Sequence, residues 1–172
     1  MNDVVKRFLL VGAIGALFFA ASPAVAEEEK PAFTIGSKPA WFVTGGLTTG
    51  GSVVTHDRGW YLGGELSLVR LHRGTFMGLY GDGYYDFGAA RTYSTGGIEL
   101  GHKFLGIDGG GAVRIGGDHL EWGPTGRVFI TLGILALYAR YAYFYEPERS
   151  GNDHVVQIGG LLKFPFAAWG GK

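Results

Sequence analysis

Three histidines each stand beside a carboxylate: His56 next to Asp57, His119 next to Asp118 and close to Glu121, His154 next to Asp153. Imidazole beside carboxylate can hold Zn²⁺ or Cu²⁺, or work as an acid/base pair. The separations match no ligand spacing such as two histidines one helical turn apart, and the chain has no cysteine to add a thiolate. Polar loops commonly carry such residues, so no metal and no cofactor is expected. The hydroxyls a hydrolase could use are Ser52 near His56, Ser94, and Ser150 near His154. None of them lies in a Gly-x-Ser-x-Gly elbow, and a nucleophile needs a base held by a third group. A second set carries charge without a nucleophile: Glu65, Asp82, Glu99 and Asp108 against Lys103, Arg114, Arg127, Arg140 and Lys163, with Asp86 at the rim evening the count. The chemistry open to that set is mutual neutralisation, because charges removed from water persist only when paired.

These residues must be held by strands. In the segment 60–69 the even positions are Trp60, Leu62, Gly64, Leu66 and Leu68, while the odd ones include Glu65 and Ser67. Side chains alternate across a strand, so one face is oily and the other polar. The same alternation predicts eight strands, near 41–49, 60–71, 75–85, 92–104, 107–116, 127–133, 135–145 and 154–166. Connections at 50–59, 86–90, 117–126 and 146–153 are polar and glycine- or proline-bounded and read as loops. Those at 72–74, 105–106 and near 134 read as tight turns. Long and short connections therefore alternate along an even number of strands, as in a transmembrane barrel with long outer loops and tight periplasmic turns. Glu65, Asp82, Glu99, Asp108, Lys103, Arg114, Arg127, Arg140 and Lys163 all fall on the non-oily face, the expected lumen. Trp41, Trp60, Tyr84, Tyr85, Trp122, Tyr145, Phe164 and Phe166 gather near strand ends, where interfacial girdles sit.

The first residues fit export. Lys6 and Arg7 precede an apolar run from Phe8 to Ala21, then Ala24-Val25-Ala26, so a signal peptide of residues 1–26 is expected, followed by a lead-in at 27–40. The leader removes Lys6, Arg7 and Asp3 from 15 basic and 15 acidic residues, leaving a net charge of −1. Nucleic-acid binding, which needs a basic surplus, is excluded as an expectation. No later segment has the roughly 20 apolar residues of a spanning helix. Glycine is abundant, with 32 residues, several inside predicted strands. A narrow barrel needs bends and inner space, which accounts for some of them, while Gly64, Gly109 and Gly111 on the oily face read as merely tolerated.

Gln157, Gly159, Leu162 and Phe164 fill the polar, glycine, apolar and apolar positions of the assembly signal at the last strand of outer-membrane barrels. With the eight-strand layout, residues 41–166 resemble the small eight-stranded outer-membrane barrels of the OmpA/OmpX kind. The resemblance implies an antiparallel up-and-down barrel in a Gram-negative-type outer membrane, contacts with outer-membrane lipid and the barrel-assembly machinery, and a monomer. Such chains usually end on an aromatic residue, whereas 167–172 continue past Phe166 as a tail. The expected role is structural or surface-interacting, around a side-chain-filled lumen. A lipid-modifying enzyme, a narrow pore and a periplasmic barrel holding an apolar ligand are the competing readings.

Overall fold

The computed structural model describes residues 38–54, 57–116, 119–145 and 153–170. The expected signal peptide, the lead-in up to residue 37, His56, Asp118, Ser150 and the side chains of Asp57 and His119 lie outside the described residues. Eight strands follow one another: β1 Ala40–Val54, β2 Asp57–His72, β3 Thr75–Asp86, β4 Arg91–His102, β5 Leu105–Gly116, β6 His119–Leu132, β7 Leu135–Phe144 and β8 Asp153–Gly170. Each pairs antiparallel with the next, and β8 pairs with β1 to close the barrel. Each strand thus has a hydrogen-bonded neighbour on both sides over the shared part of the wall, and among the described residues no strand stands at a free sheet edge.

Following the pairing around the barrel leads from Thr44 through Ser67, Tyr80, Gly97, Gly110, Thr125, Ala142 and Val155 to Val54, ten residues farther along β1. That stagger, over eight strands, sets a tilt of roughly 40° and a backbone radius of about 8 Å. A 12-residue strand such as β4 then climbs roughly 30 Å along the axis.

The alternation predicted from sequence holds around the ring. Leu79, Ile98, Ile107, Val128, Ile130, Leu137 and Ile158 are exposed on the outside, and Glu65, Asp82, Glu99, Asp108, Arg127 and Arg140 are buried inside. Among the aromatics expected at an outer girdle, Tyr84 is instead fully buried, because it shares the parity of Asp82 on β3.

Strand boundaries differ from expectation in four places. The tight turn expected at 105–106 falls at 103–104, so β4 stops at His102 and β5 already begins at Leu105. Residues 50–54 and 57–59, expected as loop, are paired: Gly50 opposes Tyr61, and Val54 opposes Asp57. Residues 119–126 likewise belong to β6, with Pro124 facing outward opposite Gly111. Glycine and proline read locally as loop signals, but in a closed barrel a neighbour's register can impose the strand. At the other end, 167–170 are not a tail. Pairing shifts between Val43 and Thr44, leaving Phe166 as an extra residue after Pro165, and then resumes with Ala167, Ala168, Trp169 and Gly170 opposite β1. The bulge accommodates the missing proline donor and lets the strand go on.

Some glycines are required. A Cβ on Gly97 would lie 2.7 Å from the Gly110 Cα, and one on Gly110 would lie 2.7 Å from the Gly97 Cα. These two face each other across β4 and β5, and the wall folds too sharply there for any side chain.

Candidate functional site

The lumen is filled in layers. At the tight-turn end the rings of Phe76 and Phe129 meet with centroids 5.9 Å apart. Gly101 and Gly106, paired across β4 and β5, leave the space these rings occupy.

Above them lie two buried ion groups. Lys163 Nζ is 2.9 Å from Glu65 Oε1 and 3.1 Å from Glu99 Oε2. Arg127 donates from Nη1 to Glu65 Oε2 at 2.5 Å and from Nε to Asp108 Oδ2. Arg140 pairs with Asp82, whose other oxygen accepts from Thr95 Oγ1 at 2.6 Å. The Tyr80, Phe129 and Tyr138 rings stand 5.1 to 5.5 Å from the Arg127 guanidinium, and Tyr84 and Tyr138 stand 5.4 and 5.6 Å from that of Arg140. Each of these arginines thus has both carboxylate and ring-face partners, which a dry interior demands.

The strands that supply these groups matter most. Glu65 on β2 meets Arg127 on β6, Asp82 on β3 meets Arg140 on β7, and Glu99 on β4 meets Lys163 on β8. In an eight-stranded ring, strands four apart stand on opposite walls. All three pairs therefore span the barrel axis. Wall-to-wall bonds of this kind cross the place where a channel would have to run.

A layer of tyrosines follows. Tyr138 OH is 2.5 Å from Thr48 Oγ1 and accepts from Tyr61 OH at 2.7 Å. Gly50 and Gly159, opposite each other on β1 and β8, make room for the Tyr61 hydroxyl. Tyr84 stacks on Tyr93 with centroids 4.9 Å apart, and Tyr93 meets Phe144 edge-on at 5.8 Å. At the far end Arg114 lies 4.5 Å over the Phe144 ring and pairs with Glu121 and, at 2.6 Å, with Asp153. Arg91 reaches the same Asp153 oxygen at 3.3 Å.

Of the charged residues expected in the lumen, Glu65, Asp82, Glu99, Asp108, Arg114, Arg127, Arg140 and Lys163 converge there. Lys103 does not. Strand β4 ends at His102, Lys103 turns with φ 53°, and its side chain is exposed outside. Asp86 is a turn cap, accepting from the amides of Gly88 and Ala89 at 2.9 and 3.1 Å. Glu121 and Asp153 complete the outer ion cluster, although in sequence both read only as loop carboxylates beside histidines. The signal for Glu121 was parity with Arg127 on β6 and register opposite Arg114.

The histidines are placed differently. His154 points outward, where Nδ1 lies 2.6 Å from Tyr141 OH, while the Asp153 carboxylate faces Arg114 and Arg91 inside. Neighbours in sequence, the two stand on opposite faces of β8 and cannot form an acid/base pair across them. Among the described residues no three His, Asp or Glu side chains gather in a metal-binding group. Ser52 is buried toward the lumen, and Ser94 Oγ donates to the Asp82 carbonyl at 3.3 Å. Of the assembly-signal residues, Gln157 and Gly159 face the lumen, and Leu162 and Phe164 face out. No protein-family model matches the chain, and no curated protein matches it.

Proposed function

We propose that the chain is exported, loses residues 1–26, and inserts as a monomeric barrel into an outer membrane, where its role is structural or surface-interacting and its lumen does not conduct. The reading is carried by one observation: an outside lined by Leu79, Ile98, Ile107, Val128, Leu137 and Ile158 around an inside cross-tied by three ion pairs. A water-soluble barrel would gain nothing from that arrangement, since its greasy face would meet water. In a bilayer the same face costs nothing to expose, and closure satisfies every strand. Trp60 and Arg70 stand ten residues apart on β2, roughly 25 Å of height at this tilt, which matches the apolar band of such barrels. Trp60, stacked on Phe87 at 4.2 Å, and Trp122 beside Tyr145 would occupy one interface, with Trp41 and Trp169 at the other. Gln157, Gly159, Leu162 and Phe164 would be read by the assembly machinery.

Membrane fractionation followed by cold-SDS electrophoresis tests insertion. The protein should partition with outer membranes and run as a compact species that slows or shifts on boiling. Recovery in the soluble periplasmic fraction would refute the proposal. Planar-bilayer recording tests the lumen: the protein should give no sustained conductance, and steady large openings would contradict the plugged interior.

A further inference from the structure

The outside of the tight-turn end carries basic side chains and no acidic one among the described residues. Arg70, Arg73, His102, Lys103 and Lys38 are exposed there and His72 is half-buried, with no outward carboxylate at that end among the described residues. The two basic turns are tied together: the Lys103 amide donates to the Gly74 carbonyl at 2.7 Å, and Thr75 Oγ1 lies 3.0 Å from His102 Nδ1. Arg70 stands in register with Trp41 and Met77, so its guanidinium leaves from the lower edge of the apolar belt. Phe104, Trp41 and Trp169 stand exposed at the same end.

Backbone conformation adds an independent mark. Arg73 has φ 50° and Lys103 has φ 53°, both in the left-handed region. Asparagine or glycine occupies that region at less cost in hairpin turns. Two long cations are held where shorter residues would fit the backbone better, and such departures concentrate at functional positions.

We infer that this end is a docking surface for the phosphates of anionic phospholipids in the leaflet it faces, an inference that rests on the membrane insertion proposed above. Arginine and lysine at this depth can donate charge-assisted hydrogen bonds to a phosphodiester while their stems lie along the apolar belt. Three cations around two joined turns match a headgroup carrying net negative charge and gain less from a zwitterionic one, whose ammonium offsets its phosphate. At the opposite rim, among the described residues, Arg91 and Arg114 are occupied by Glu121 and Asp153, and Arg58 stands exposed.

The test uses the full mature protein, folded in mixed micelles with equimolar phosphatidylglycerol and phosphatidylcholine, and native mass spectrometry to count retained lipid. Wild type should retain phosphatidylglycerol preferentially. The preference should fall by about fivefold for each cation removed in R73N/K103N and again on adding R70Q. Asparagine tolerates both left-handed positions, so these variants keep their turns. R58Q, at the opposite end, should behave as wild type, and millimolar inorganic phosphate should not displace the lipid. Equal retention of both lipids by wild type, an unchanged R73N/K103N variant, or displacement by free phosphate would each overturn the inference. Insertion of the same protein into phosphatidylcholine vesicles, scored by cold-SDS mobility, separates the two readings. Insertion without headgroup preference sinks this inference alone, while failure to insert sinks both.

Discussion

Arg127 holds two carboxylates from different walls of the lumen, Glu65 and Asp108, and packs among three aromatic rings. Removing it should leave both acids buried without their strongest partner. R127M is expected to destabilise the barrel by about 3–5 kcal/mol, measured as folding free energy in urea titrations with lipid vesicles. Replacing Glu65, Asp108 and Arg127 together by apolar residues of similar size should recover most of that loss, because the charges and their desolvation disappear together. If R127M alone matched wild type, the network would be decoration. Y138F removes the hydroxyl shared by Thr48 and Tyr61, and its expected cost is smaller, about 1–3 kcal/mol in the same titration. Parity along each strand was enough to place Glu65, Asp82, Glu99, Asp108, Arg114, Arg127, Arg140 and Lys163 in the lumen from sequence. Lys103 escaped because alternation continues on paper past the point where β4 ends, and its left-handed turn has no signature in residue type. Which acid meets which base was not legible either, since that depends on which strands stand four apart in a closed ring.

At the scale of the strands, glycine divides into two kinds. Gly97 and Gly110 face each other inside, and neither can carry a Cβ without displacing the other strand. Gly111 points outward, and a methyl group placed there would have nothing within 4 Å. G97A and G110A should each cost about 1–3 kcal/mol or more by forcing backbone shifts, whereas G111A should be neutral or slightly stabilising. The midpoint of heat-induced gel-mobility change would rank the three. Equal effects would mean that the close approach is relieved freely. That glycine relieves crowding inside and is tolerated outside was legible in the sequence, but which residues touch was not. Strand existence and order were legible because alternation survives in every segment. Strand ends were not, since Gly50, Gly51, Pro124 and Pro165 carry loop signals that neighbouring strands overrule. Deleting residues 167–172 removes the pairs that Ala167, Ala168, Trp169 and Gly170 make with β1. The truncated chain should fold into vesicles more slowly and lose its compact gel form at a lower temperature; unchanged behaviour would assign these residues no part in closure.

For the molecule as a whole, the deciding matter is which side of the wall is wet. Closure, eight strands and an ionic interior follow from pairing and burial, while the proposed insertion into lipid would give the exposed apolar face its purpose. The chain has no cysteine, so single cysteines can be placed without background. Nitroxide labels at Leu79, Ile98, Ile107, Ala136, Leu137 and Ile158, in protein reconstituted into vesicles, would be scored for collision with oxygen, which concentrates in acyl chains, and with a water-soluble nickel chelate. High oxygen and low nickel accessibility is expected at Leu79, Ile98, Ile107, Leu137 and Ile158, with low accessibility to both at Ala136. Nickel access at the five outward sites equal to that of a label in free solution would contradict a lipid-facing exterior.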